Sequence, residues 1–243
     1  MTSPFLSPPR NNSTDQLRRG LNQLLGDDDQ EARSEELEKL GEQTKASRVL
    51  ACGTDPQGRR RCKQRVCPSC AAHAARRNAA RAARSSYRFT RPCFVTLTAG
   101  PRTVFGLRDA LDSMRAGLFA WRRLSTVKRY VKGGVGGLEP KYSAAPVPRW
   151  LVHAHLIVDA TADADFGALE KAWSAATAGK GRLLVPPKLG ADVRDPLAAA
   201  SYITKHVDWC PRPGALPENT LRALFQHTRG RRMYLSWGTG RGY

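Results

Sequence analysis

Arg149-Trp-Leu-Val-His-Ala-His-Leu-Ile-Val158 alternates in character and is rich in β-branched and aromatic residues, which reads as a strand. Side chains two residues apart on a strand share a face. His153 and His155 therefore project together, while Val152, Ala154 and Leu156 point the opposite way. Two imidazoles separated by two steps of roughly 3.3 Å, so about 6–7 Å apart, can share one divalent ion. Two histidines on a solvated face is the plainer reading of such a pair, and the preceding segment argues against it. Leu138–Tyr142 reads as a second strand, joined to the first through the Pro-containing turn Ala144–Pro148, and it carries Glu139. A carboxylate beside two imidazoles adds a hard oxygen ligand, a set that suits Mg²⁺ or Mn²⁺ with open coordination positions.

Working outward, Phe94-Val-Thr-Leu-Thr98 is a further alternating strand. Leu107, Leu111, Met114, Leu118 and Trp121 recur every three or four residues and predict a long amphipathic helix, which Gly133–Gly137 separates from the strand pair. Asp165–Ala176 reads as a helix, Arg182–Val185 as a short strand, and residues 196–208 as a helix with Pro196 in its first turn. A last helix near Glu218–Gln226 precedes an Arg/Gly-rich tail. Strands and helices mixed in this way, with hairpin-type loops, indicate an α+β domain.

Upstream lie Cys52, Cys62, Cys67 and Cys70. Nothing in the chain suggests secretion, so a metal site is favoured over disulfides. The Cys67-Pro-Ser-Cys70 knuckle grips one edge of a tetrahedral Zn²⁺ and Cys52 and Cys62 close the site, with His73 as an alternative to Cys52. Arg59, Arg60, Arg61 and Arg65 would lower the thiol pKa values, while Cys93 and Cys210 read as ordinary buried thiols. Ala71–Ser85 follows as an Ala/Arg-rich helix, and the four- and three-residue spacing of Arg77, Arg81, Arg84 and Arg88 stacks them on one face for DNA.

Charge supports a polyanionic partner. The chain carries 40 Lys+Arg against 21 Asp+Glu, a net charge of +19. Residues 1–48 hold 7 basic and 9 acidic side chains, which leaves 33 and 12 for the remainder. Such an excess points most often to nucleic acid, although a merely basic soluble protein would share it. No run of eighteen apolar residues occurs, which argues against a membrane-spanning helix. The first thirty residues lack the pattern of an export signal, so the expected location is cytoplasmic.

On the helix that begins at Pro196, Leu197, Ala200, Ile203 and Val207 share one side; Tyr202, Lys205 and His206 share the other. An exposed tyrosine and lysine are usually mere surface. Beside a metal they suit phosphoryl chemistry, because a phenol of pKa about 10 needs a polarised phosphate and a nearby cation to react.

Taken in order, Phe94-Val-Thr-Leu-Thr98, Glu139 with His153-Ala-His155, and Tyr202-x-x-Lys205 resemble the three signature blocks of HUH endonucleases. The chain looks most like the rolling-circle replication initiators (Rep proteins) of small bacterial plasmids. The resemblance spans roughly residues 48–240, including Arg61-Cys-Lys-Gln-Arg-Val-Cys-Pro-Ser-Cys70 and Gly230-Arg-Arg-Met-Tyr-Leu-Ser-Trp-Gly238. It implies an antiparallel central sheet flanked by helices, with the first-block strand beside the histidine strand. It also implies Glu139, His153 and His155 as ligands of a catalytic Mg²⁺ or Mn²⁺, Tyr202 as nucleophile, Lys205 as its electrostatic partner, and Thr96 and Thr98 as supports of the metal strand. One departure stands out: relatives often place a glutamate one turn before the tyrosine, where this chain has Ala198, and Asp195 lies two turns away.

The expected organisation is a flexible, partly helical appendage over residues 1–48, a zinc-binding and arginine-rich helical segment over 49–91, and an HUH catalytic core over 92–243. The implied activity nicks single-stranded or hairpin origin DNA through a 5′-phosphotyrosine and leaves a 3′-OH primer, with a host helicase and DNA polymerase as partners. A single-tyrosine HUH transposase, a mobilisation relaxase and a non-catalytic zinc-containing DNA-binding regulator are the alternatives.

Overall fold

A computed structural model describes residues 28–52, 62–63, 67–100, 102–103, 106–144, 147–185, 192–207, 214–228 and 231–240. In chain order its elements are α1 (Asp28–Lys39), α2 (Gln43–Leu50), α3 (Pro68–Ser86), β1 (Pro92–Thr98), β2 (Arg102–Thr103), α4 (Leu107–Trp121), α5 (Ser125–Tyr130), β3 (Val131–Ser143), β4 (Arg149–Ala160), α6 (Phe166–Ala176), β5 (Arg182–Leu184), α7 (Pro196–Val207), α8 (Glu218–Thr228) and β6 (Tyr234–Gly238). The fold is α+β. Five antiparallel strands run in the order β5-β1-β4-β3-β6, and the two-residue β2 pairs with the start of β4.

Local chemistry accounts for several boundaries. Asp165 caps α6 by accepting the Ala168 N–H at 3.0 Å. Asp195 caps α7 by accepting the Leu197 and Ala198 N–H groups at 2.9 and 3.1 Å, directly before Pro196. Pro68 occupies the first turn of α3, where its missing N–H costs nothing.

The β4 strand is central and its two faces are covered differently. Helices α3 and α7 lie over the face bearing His153 and His155. Val152, Ala154 and Leu156 face the opposite layer, where α4 and α6 seal the main core. There Trp121 and Trp173 meet edge to face at 6.3 Å and donate to the carbonyls of Leu169 and Thr98. Burying a ring of that size stabilises the fold by roughly 4–6 kcal/mol, which pins the helical layer to the sheet.

Two segments differ from their sequence reading. Gly133–Gly137 does more than end the helical region; it forms the first part of β3, opposite His155–Asp159 on one side and β6 on the other. Glycine is poor in strands, but a Cβ at Gly136 would collide with the His155 carbonyl oxygen and one at Gly134 with the Trp237 ring. Close packing of neighbours therefore overrides propensity. The closing Arg/Gly-rich stretch likewise contains a strand, β6, because the glycine part of β3 offers it a flat surface.

The segment before residue 49 also behaves differently within the described residues. Helices α1 and α2 form a hairpin whose Leu37, Leu40, Ala46 and Val49 are buried against Cys52, Cys67, Cys70 and, from α8, Leu221 and Phe225. A division at 48/49 would cut α2 and this second core. Leu224 of α8 joins the main core instead, so α8 bridges the two. Residues 1–27 lie outside the described residues.

Candidate metal centres and nucleophile

Glu139, His153 and His155 converge because of register. Glu139 on β3 stands opposite His153 on β4, and His155 stands opposite Thr96 on β1. Paired residues share a face, so all four side chains point to one side of the sheet. His155 Nε2 lies 2.8 Å from Glu139 Oε2, and His153 Nδ1 lies 3.9 Å from the same oxygen. The imidazole centroids are 6.0 Å apart at 88°. One ligand atom from each of the three lies within 4.8 Å of the others, an arrangement that can hold a cation. Adjacent octahedral positions at about 2.1 Å from an ion are about 3 Å apart and opposite ones about 4.2 Å. The 3.9 Å separation falls inside that range and the 2.8 Å one just below it.

Thr96 completes the shell. Its hydroxyl lies 3.0 Å from His155 Nδ1, so with Nδ1–H donating to that oxygen Nε2 is left to face Glu139. This fixing of a ring through its far nitrogen is how outer groups orient ligating histidines. Thr98, on the same face, does something else: it accepts the Arg182 N–H at 3.2 Å and so fastens edge strand β5.

Tyr202 reaches this place from α7. Ala200, Ile203 and Thr204 are buried beneath the helix, whereas Tyr202 remains 49% exposed. Its ring sits edge-on to His155 at 5.5 Å and to Phe94 at 5.5 Å, and Phe94 in turn stacks on His155 at 6.1 Å. The side-chain exposure of His155, Glu139 and His153 is graded at 7%, 16% and 23%. The cluster is thus buried at its floor and open towards solvent beside the phenol. Lys205 and His206 belong to α7 by backbone, and their side chains lie outside the described residues. Ala198 is exposed, and the Asp195 carboxylate is committed to the helix N-terminus.

The second cluster is all sulfur. The thiols of Cys52, Cys62, Cys67 and Cys70 lie within 4.8 Å of one another, and none forms a disulfide. Cys70 Sγ is 3.5 Å from Cys52 Sγ and 3.6 Å from Cys62 Sγ. Those spacings match a tetrahedral ion with sulfur at about 2.3 Å, which needs edges of about 3.8 Å, and exceed a disulfide bond of about 2.05 Å. This cluster can hold a metal. The Cys62 N–H donates to Cys52 Sγ at 3.4 Å, and Lys63 adopts a left-handed φ of 57°. Cys67 and Cys70 stand at the N-terminus of α3, whose dipole favours thiolate. Hydrogen bonding from Cys62 and then Cys67 holds the Cys70 thiol well below its ordinary value, whereas the same sharing raises Cys67. His73 is exposed and is not among the four donors. Arg59, Arg60, Arg61, Arg65 and Cys210 lie outside the described residues, and Cys93 is a buried free thiol.

Arg77, Arg81 and Arg84 are exposed along α3, and Arg88 follows beyond its end. The sequence reading had no signal for a groove between α4 and β6, lined by Arg115, Arg122, Arg232, Phe119 and Trp237. Spacing by seven on α4 places Arg115 and Arg122 together, but their convergence with β6 is tertiary. Among the described residues no helix is long and apolar enough to cross a membrane. Comparison with known proteins yields no match: no family model fits the chain, and no curated protein and no solved structure is significantly similar to it.

Proposed function

We propose that this chain is a metal-dependent single-strand DNA endonuclease and strand transferase of the HUH type, working as a rolling-circle replication initiator. One observation carries the reading: Tyr202, from a helix some fifty residues downstream of the histidines, has its ring against His155 at the open side of the Glu139–His153–His155 cluster. A solvated surface has no reason to gather a phenol, two imidazoles and a carboxylate from three separate elements. Bound there, Mg²⁺ or Mn²⁺ would neutralise and polarise the scissile phosphate. The rest is done by side chains. Glu139, His153 and His155 hold the ion, and Thr96 keeps the His155 ring oriented. Tyr202 attacks phosphorus; its phenolic proton passes to solvent at the open side of the cluster, and a P–O bond to tyrosine forms. The P–O3′ bond breaks, the leaving oxygen taking a proton from solvent to become a 3′-OH. Lys205, three residues on, is the proposed cation that favours phenolate. Origin DNA, single-stranded or in a hairpin, would bind the basic surface through its phosphates, and a host helicase and polymerase would use the exposed 3′-OH. The cysteine set would take structural Zn²⁺, with four thiolates saturating the ion.

The test is incubation with single-stranded oligonucleotides and Mn²⁺, followed by denaturing electrophoresis. A covalent protein–DNA adduct is expected, and none with Tyr202→Phe. No carboxylate occupies the turn before Tyr202, so the adduct should persist and clear on addition of a strand with a free 3′-OH. Adduct formation that survives Tyr202→Phe would sink the reading.

A further inference from the structure

Among the described residues the sheet ends at β6, and along this edge lies an open groove of about 490 Å³. Among the described residues that line it none is acidic, and three are arginines: Arg115 and Arg122 from α4, and Arg232 from the entry to β6. Arg115 is held by donating to the Arg232 carbonyl oxygen, and its buried Nε has no hydrogen-bond partner. Aromatic rings alternate with these cations. Arg122 lies over Trp237 at 5.3 Å, and Phe119, 55% exposed, has Arg123 over it at 5.1 Å. Cations spaced between accessible π-faces match a polynucleotide strand, whose phosphates alternate with flat bases. Duplex DNA hides those faces, so the chemistry favours an unpaired strand.

The groove borders the edge strand whose other face turns towards the histidines. Tyr234 lines the groove, stands opposite Gly137, and Gly137 stands opposite His155. Tyr234 and His155 thus occupy one row of the sheet two strands apart, about 10 Å by strand spacing. Trp237, in contrast, pairs with Gly134 and points to the α4 face, so a strand in the groove reaches the histidine face only by passing around the β6 edge. Arg81, Arg232 and Arg84 lie close enough to Tyr234 to offset part of the upward push that burial gives its phenol. The arginine face of α3 and the arginines of α4 therefore flank the same edge strand.

We infer that the α4–β6 groove is a second DNA subsite, which grips unpaired nucleotides beyond those at the reacting phosphate by stacking them on Phe119 and pairing their phosphates with Arg115 and Arg232, with Trp237 under Arg122 as its wall. The choice of DNA over RNA rests on the function proposed above; the groove itself does not. Its test therefore uses the full chain carrying Tyr202→Phe, without divalent metal, and reads fluorescence anisotropy of labelled oligo-dT. Phe119→Ala and Arg232→Ala change exposed side chains, so the fold is retained. Each should weaken binding on the order of tenfold, and Arg232→Ala should lower the slope of log affinity against log salt by about 0.7. Arg129→Ala, an equal charge loss on α5, should change affinity less than twofold. Binding by the Phe119 and Arg232 variants that matches the parent, or falls no further than with Arg129→Ala, overturns the subsite. An abasic strand that binds as tightly as oligo-dT overturns the stacking. Tighter binding of oligo-U than oligo-dT overturns the assignment to DNA while leaving the groove; failure of nicking removes the ground for choosing DNA over RNA, and the groove still stands or falls by the anisotropy alone.

Discussion

The cysteine cluster and the histidine cluster are both sets of donors within 4.8 Å, yet they are built in opposite ways. Four sulfurs drawn from nineteen residues of chain close around one point, with Cys52, Cys67 and Cys70 embedded in a small core of α1, α2 and α8. A soft, saturated and buried donor set has no position left for a substrate, which is the character of a structural site. The histidine cluster takes two nitrogens and one oxygen from two paired strands, leans on a third strand through Thr96, and leaves its outer side open beside Tyr202. Three hard or borderline donors with free positions are what a reacting ligand needs. The difference teaches that distance alone identifies a possible metal site, while saturation and exposure separate holding the fold from doing chemistry.

The largest expected effect tests that division directly. Cys67→Ser should take zinc content from about one per chain to none, measured by plasma mass spectrometry. It should also strip hydrogen-exchange protection from α1 and α2, since structural zinc can supply on the order of 10 kcal/mol. His153→Ala, at a partly exposed side chain of the open cluster, should change global stability by no more than about 0.5 kcal/mol while abolishing adduct formation. Equal losses of stability from the two variants would erase the distinction.

A smaller effect sharpens the histidine side. Thr96→Val removes the oxygen facing His155 Nδ1 while keeping the shape of the side chain. Mn²⁺ affinity by titration calorimetry should drop about 10- to 100-fold, the usual cost of losing an outer partner. Affinity equal to the parent would mean that the ring is oriented by packing against Phe94 and Tyr202 alone.

The smallest effect concerns a thiol that belongs to neither cluster. Burial and a hydrogen bond to Asp192 push Cys93 from 9.0 up to about 12. Between those values the unfolded chain has released a proton that the folded chain retains, so stability falls as pH rises from about 9 towards 12. Urea midpoints for Cys93→Ala should fall less steeply across that window than those of the parent. Identical slopes would assign the alkaline loss to other groups.

Much of this was legible in the chain. Alternation around His153 and His155 located β4, three- and four-residue spacing located the buried face of α4, and the cysteine spacing grouped four thiols, because each signal is local and set by backbone geometry. The α+β class followed from the mixture of such signals. Tertiary structure alone decided the rest. Gly133–Gly137 becomes a strand only because Trp237 and the β4 backbone need the space that a side chain would fill. Residues 28–50 are drawn into a core only because Leu221 and Phe225, from the far end of the chain, cover the same cysteines. Strand register sets Glu139 opposite His153, helix docking sets Tyr202 over His155, and the edge strand β6 gathers Arg115, Arg122 and Arg232. Each of these brings together residues far apart in sequence, and the contact between them is determined by how whole layers pack, which no local pattern encodes.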